Sequence, residues 1–337
     1  MVSVSTPYDS TVRAIQVTRP GGPDVLEPVT LEPPVASPGH VVVRVEAAGV
    51  NYIDTYQRSG MYPVPMPFVP GREGAGEIVE VGEGVEDFVV GEGVAWATTP
   101  GSYAEYVSVP TTELFEVPED VELDMAAATL MQGLTAHYLA TSSYTVMPGD
   151  TVLVHAAAGG VGLLLTQLAV ARGATVIGTV GSADKARIAL QAGVNHVLRY
   201  DEMEDLAVHL PEAVRGIVPE GVAAAYDGVG RTTFDGSLAC VRRRGHLVLF
   251  GAASGPVPPV DPQRLNKAGS IYLSRPTLGD FIATCEEREW RSSDIFHGIL
   301  LGDLSVRIDR GFELEEAAEA HRALEARATS GKLLLHP

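Results

Sequence analysis

Val152-Leu153-Val154-His155-Ala156-Ala157-Ala158-Gly159-Gly160-Val161-Gly162 is the stretch on which the fold turns. A short apolar run enters a glycine-rich turn, and a helix-forming segment, Leu163 to Arg172, leaves it. Small residues let a backbone approach a ligand closely, and the free N–H groups of a helix start face an anion. The stretch therefore predicts a pyrophosphate-binding turn. It departs from G-x-G-x-x-G at Ala157, which stands where the first glycine would.

The sequence around it repeats the rhythm. Strands are expected at Thr151–His155, Thr175–Thr179, His196–Leu198, Val222–Tyr226 and His246–Phe250. Between them, helices are expected over 160–172, 183–191, 204–215 and 231–240. Such alternation indicates a parallel sheet with right-handed crossovers. Upstream, from Val12 to about Val109, runs such as Val41–Val45 and Glu77–Val81 are punctuated by Pro and Gly, which reads as a turn-rich β unit. From about Thr277 the pattern becomes helical, clearest over Glu315–Ala328, before a last strand at Lys332–Leu335.

Composition narrows the function classes. The 337-residue chain has room for two cores, and its net charge of −19 speaks against nucleic acid or an anionic membrane as a partner. No apolar run approaches the ~20 residues that span a bilayer. The N-terminus has no basic segment followed by an apolar core, so no signal peptide is expected. Cys240 and Cys285 are too few for a disulfide framework, which points to a reducing, cytoplasmic setting. Among the 24 Lys and Arg residues only Lys185, Lys267 and Lys332 are lysines, so a lysine near a candidate site carries information.

The second strand of the α/β series selects the cofactor. An NAD site usually ends this strand with an acid that binds the ribose 2′-OH. Here Val176–Val180 is followed by Gly181-Ser182, with Lys185 on the next helical turn. A hydroxyl and an ammonium suit a 2′-phosphate and hence NADPH; the alternative is that Lys185 is a solvated helix residue.

Gly149-Asp150 to Gln167, with its Ala-Ala-Ala-Gly-Gly-Val-Gly centre, resembles the signature of the zinc-independent, zeta-crystallin-like quinone oxidoreductases of the medium-chain dehydrogenase/reductase superfamily. The resemblance extends to Gly49–Tyr56, Gly71–Gly76, Gln132–Ala136, Ser274-Arg275-Pro276 and Arg327-Ala328-Thr329, leaving only the first ten or so residues outside it. It implies an α/β protein with a discontinuous GroES-like catalytic domain, 1–132 and 276–337, and a Rossmann NADPH-binding domain, 133–275. It also implies a homodimer through the edge strands of the Rossmann sheets, for which Gly269–Ser274, with Ile271 and Leu273 alternating, is the expected edge.

In zinc-dependent relatives a Cys and a His are metal ligands where this chain has Asn51 and Arg72. An amide and a guanidinium are poor zinc ligands, so no catalytic metal is expected. A quinone is already an electron acceptor; the enzyme must hold it against the nicotinamide and stabilise the developing oxyanion. Asn51, Tyr56 and Tyr52 are the expected catalytic residues, the tyrosines having packing as their alternative. Thr135, Phe250, Gly251 and Ser274 are expected at the nicotinamide. Ala158, Gly159, Gly160, Val161 and Gly162 are expected at the pyrophosphate, and Ser182, Lys185 and Tyr200 at the adenosine phosphate. Arg327 is a further candidate cofactor contact. Gly228 stands where relatives often carry serine, so one cofactor hydrogen bond is expected to be missing. His155 reads as a core histidine, and Arg72 as the partner of Glu73 or Asp54.

The implied function is hydride or electron transfer from NADPH to a planar electrophile, a quinone. The alternatives are reduction of an enal, enone or enoyl-thioester and, from another class, a structural or regulatory NADPH-binding protein.

Overall fold

The computed structural model describes residues 10–337, in two compact units: the first comprises the described residues up to Met131 together with Arg307–Pro337, the second Gln132–Val306. Residues 1–9, most of the stretch outside the resemblance, lie outside the described residues.

In the first unit β1 (Val12–Gln16) and β2 (Glu27–Leu31) form an antiparallel pair. β3 (His40–Val50) carries five buried valines, side chains whose branching suits a pleated strand. A short helix, α1 (Tyr52–Arg58), follows it. β4 (Glu73–Val81), β5 (Gly93–Trp96), β6 (Tyr106–Pro110) and β7 (Leu114–Glu116) then build an antiparallel sheet in which β3 pairs with both β4 and β6. α2 (Leu123–Tyr138) carries the chain into the second unit.

There the α/β alternation is realised. β8 (Thr151–Val154), α3 (Gly160–Ala171), β9 (Thr175–Val180), α4 (Ala183–Gln191) and β10 (His196–Arg199) come first. They are followed by α5 (Leu206–Ile217), β11 (Val222–Asp227), α6 (Phe234–Cys240), β12 (Val241–Leu249), α7 (Pro262–Lys267), β13 (Tyr272–Ser274) and α8 (Cys285–Leu300). The sheet runs β10-β9-β8-β11-β12-β13 and every pairing is parallel. Strand order reverses between β8 and β11, the switch point beside which open α/β sheets bind ligands. All six residues of β11 are buried, as a central strand covered on both faces requires.

The chain then returns to the first unit as β14 (Ile308–Glu313), α9 (Ala317–Glu325) and β15 (Lys332–His336). β15 is parallel to β14 and antiparallel to β3, with Leu333 opposite Val50.

Two expectations need correction. The segment 276–306, expected with the GroES-like domain, packs with the α/β unit, because Phe281, Ile295, Ile299 and Leu304 join its core. The edge strand expected over Gly269–Ser274 begins only at Tyr272, since Gly269 and Ser270 adopt φ of 113° and 60°, outside any strand.

The turn after β8 explains the missing glycine. Its left-handed residue is Ala156 (φ 50°), so position 157 needs no glycine for its backbone. The Ala157 methyl is fully buried and lies 2.8 Å from where a Cβ on Gly178 would stand; the small residue has been moved to β9 instead. Restoring the motif by Ala157→Gly should therefore destabilise the protein by roughly 1–2 kcal/mol, from one lost buried methyl and a freer unfolded chain. Denaturant melts of the variant check this; unchanged or increased stability would contradict it.

Candidate functional site

In the second unit the glycine turn before α3 is built by close approach. A Cβ on Gly162 would fall 2.3 Å from the Ala156 carbonyl oxygen, and one on Gly160 would fall 1.8 Å from the Gln132 side-chain oxygen. Gln132 thus stands over the start of α3, and Thr135 lies one turn further along α2, on the same face. Gln132 was quoted in the sequence pattern without a role; only the fold reveals its position. Gly159 is the N-cap of α3 and no side chain caps that helix, leaving its first N–H groups for an anion. Ala158, Gly159, Gly160, Val161 and Gly162 all lie in this one turn.

The β9 corner is also assembled. A Cβ on Gly181 would lie 3.0 Å from the Tyr200 hydroxyl, so Tyr200 packs directly against Gly181 and Ser182 follows at once. Ser182 caps α4 by accepting from the Lys185 backbone N–H. Its hydroxyl therefore has a helix-starting role that the sequence did not suggest, and it holds Lys185 in the first turn. Asp184 on the same turn pairs with Arg187.

The turn after β11 is closed by Asp227, which is fully buried and accepts from the Val229 and Gly230 N–H groups and the Thr233 and Ser237 hydroxyls. Because the carboxylate only accepts, Ser237 donates to it and receives from His155 Nε2 at 2.9 Å; His155 Nδ1 accepts from Thr179 at 2.9 Å. Burial holds the His155 pKa below its ordinary value, so the ring is the neutral core histidine expected. Phe250 and Gly251 lie against the same turn: a Cβ on Gly228 would meet the Phe250 ring at 2.8 Å, and one on Gly251 the Gly228 carbonyl at 2.4 Å. Ser274 ends β13, and its hydroxyl is buried without a protein partner.

In the first unit Asn51 precedes α1, and its backbone N–H donates to Asp54 Oδ2 at 2.8 Å. Its amide nitrogen donates to Glu73 at 2.8 Å and to the Gly49 carbonyl at 3.3 Å, and its oxygen accepts from Lys332 Nζ at 2.8 Å. Lys332 also pairs directly with Glu73 Oε2, and both side chains are wholly buried. Glu73 Oε1 accepts from the Met131 N–H at 2.6 Å. Arg72, expected to pair with Glu73 or Asp54, instead donates to the Thr98 carbonyl, because both carboxylates are engaged elsewhere.

A second chain of buried groups holds α1. Arg58 donates to His321 Nδ1 at 3.0 Å, leaving the proton on Nε2, which faces the Tyr103 hydroxyl at 3.0 Å; Tyr103 donates to Asp54 at 3.2 Å. Burial and the neighbouring Arg58 lower the His321 pKa to about 3. Burial raises Asp54 to about 7, against the opposing effects of the Asn51 N–H, Lys332 and Tyr103. Tyr52 donates to the Leu324 carbonyl at 3.0 Å, the packing role weighed as its alternative. Tyr56 is buried, its ring 5.3 Å from that of Tyr62. Arg327 is exposed just beyond α9 in a left-handed conformation (φ 54°), where it helps to end that helix.

The residues present suit a dinucleotide: Gly160 and Gly162 sit where no Cβ could stand, and the helix they open has no side-chain cap, which leaves backbone N–H groups for an anion. They do not suit a metal. The Asn51 amide is committed to Glu73, Gly49 and Lys332, Arg72 is a cation, and among the described residues no three His, Cys, Asp or Glu side chains converge as ligands.

Comparison with known proteins agrees with this architecture. Residues 37–119 match the alcohol dehydrogenase GroES-like domain, and 160–291 the family described as zinc-binding dehydrogenase. A quinone oxidoreductase of Pseudomonas aeruginosa is 43% identical over 96% of this chain and 99% of its own length. A 2-haloacrylate reductase of a Burkholderia species is 38% identical over 97% and 99%. A mycobacterial protein solved as a complex with NADPH superposes with a TM-score of 0.94 at 49% identity, covering 96% of this chain and all of that one. The fold is thus that of the medium-chain dehydrogenase/reductase superfamily, a class of oxidoreductases. Within it, this chain belongs to the quinone oxidoreductase family.

Asp54 generates a pH prediction. Its pKa is higher in the folded chain, so the folded state holds the proton more tightly, and stability from this group falls as pH rises from about 4 through 7. His321 works in the opposite sense below its ordinary pKa of 6.5, and it does so in parent and variant alike. Asp54→Asn should therefore gain stability relative to the parent between pH 5 and pH 8, by up to a few kcal/mol on the scale of ~1.4 kcal/mol per unit. Parallel pH profiles in urea melts would refute this.

Proposed function

We propose that the chain reduces a quinone with NADPH and without a metal. The observation that carries this is the anion-binding turn at the sheet's switch point, next to a β9 corner that ends in Gly181-Ser182 and presents Lys185 and Tyr200. Residues 158–162 hold the pyrophosphate, and Ser182, Lys185 and Tyr200 the 2′-phosphate. Thr135, Phe250, Gly251 and Ser274 line the nicotinamide, and the orphan Ser274 hydroxyl is a group that a bound polar ligand would satisfy. A side chain at 228 would meet the tip of the Phe250 ring and have to displace it.

When bound, NADPH supplies the hydride. A quinone needs no Lewis acid to accept it, which is compatible with the amide and guanidinium found where zinc relatives have ligands. The protein's tasks are to hold the ring, exclude water and donate to the oxygen that becomes negative, the last falling to Tyr56. The similarity to a 2-haloacrylate reductase supports a second reading, reduction of an activated alkene, in which a tyrosine or water protonates the α-carbon. A binding protein without turnover is the remaining alternative. The exposed Tyr272 on edge strand β13 supports pairing with a second copy. Two free cysteines, Cys240 and Cys285, suit a reducing cytoplasm.

The decisive assay follows NADPH consumption with a panel of small quinones, 2-haloacrylate, crotonaldehyde and crotonyl-CoA. Quinone turnover unaffected by EDTA is expected. Turnover of alkenes alone would transfer the function to the second reading, and NADPH binding without any turnover would leave the binding protein. Lys185→Ala should raise KM for NADPH about tenfold or more, as loss of a charge-assisted bond worth ~1.5–3 kcal/mol requires, and leave KM for NADH nearly unchanged. Equal effects on both cofactors would remove Lys185 from the 2′-phosphate site.

A further inference from the structure

Lys332 is one of three lysines in the chain, and it is wholly buried at the start of β15, between the first residue of β4 and the residue that caps α1. The placement constrains Asn51 tightly. One amide N–H goes to Glu73, the other to the Gly49 carbonyl, and the oxygen receives the ammonium. Turning the amide over would set its NH2 against the ammonium and its oxygen against the carboxylate. Only one orientation is stable. An amide has two donors and two acceptor sites, and three of the four are spent here. What remains is one lone pair on Oδ1.

We propose that Lys332 and Glu73 are positioning residues for the reduction: they fix the Asn51 amide so that it acts solely as a hydrogen-bond acceptor toward the bound reactants. This rests on the reading of Asn51 as a site residue. It changes what that residue can do. A fixed acceptor cannot stabilise a developing oxyanion, because it has no N–H to give. It can receive an N–H or O–H, the kind of group carried by a carboxamide or by a reduced, hydroxylic product. The oxyanion donor must then be another group, and the Tyr56 hydroxyl on α1 is the one the proposed function already assigns.

The chain has three asparagines, Asn51, Asn195 and Asn266, so selective ¹⁵N-asparagine labelling yields three side-chain NH2 pairs. In the parent the Asn51 pair, assigned by its loss in Asn51→Ala, should show two well-separated, slowly exchanging protons. Lys332→Met alone leaves a buried carboxylate unpaired and can unfold the protein, so the test variant is Lys332→Met/Glu73→Gln, which removes both charges. In it the two protons should exchange rapidly. The kinetic half is a double-mutant cycle on kcat. Asn51→Ala should lower kcat about tenfold in the parent and less than about threefold in the Lys332→Met/Glu73→Gln background, with KM for NADPH within about twofold throughout. Equal losses in both backgrounds, or an Asn51 pair equally protected in the double variant, would overturn the proposal. Parental kcat in Asn51→Ala would overturn it together with the site assignment of Asn51, while quinone turnover by the parent would keep the proposed function standing.

Discussion

An ammonium and a carboxylate with no contact with water have to satisfy each other and nearly everything around them. Removing one partner of such a pair leaves a bare buried charge, at a cost of about 3–5 kcal/mol. The Lys332–Glu73 pair imposes that condition on four separate pieces of the first unit. Lys332 must start β15, Glu73 must start β4, Asn51 must leave β3 with its amide turned inward, and Met131 must offer its N–H to the second carboxylate oxygen. The strand register, with Leu333 opposite Val50 and Gly49 opposite Glu73, follows the same requirement. α1 inherits its position from it. The hydrogen-bond chain Arg58–His321–Tyr103–Asp54 then secures the other side of that helix against α9.

The second unit solves the equivalent problem with neutral groups. Asp227 is as deeply buried as Glu73, but backbone N–H groups and two hydroxyls surround it rather than a cation. One of those hydroxyls leads through His155 to Thr179 on β9. The carboxyl ends of β8, β9 and β11 are thereby tied together at the edge of the sheet where the glycine turn emerges. These ties fix the backbone of the glycine turn that precedes α3.

How much of this the sequence discloses depends on range. The α/β series is legible because strand runs, glycine turns and helix caps are local signals. The element ends shift where a side chain captures the backbone: Asp205 caps α5 by accepting from Ala207, so the helix expected from 204 starts at Leu206. Asp227 and Thr233 hold the turn that delays α6 to Phe234. The corner of Gly181, Ser182, Lys185 and Tyr200 lies within twenty residues of sequence and was readable for the same reason. The buried ion pair was not, since Lys332 lies 259 positions from Glu73 and 281 from Asn51. Its one outward sign was the rarity of lysine. The limit between the units at 306 was likewise hidden, because only packing reveals which core the apolar residues of 276–306 join.

The contact between Phe250 and Gly228 has a consequence for how such a site can change over time. Any side chain at 228 would have to enter space that the Phe250 ring fills. A hydroxyl there requires the Phe250 ring, which is only part-buried, to turn aside, or a smaller residue to take its place. The two positions are therefore coupled: what residue 228 can carry depends on where the ring at 250 lies.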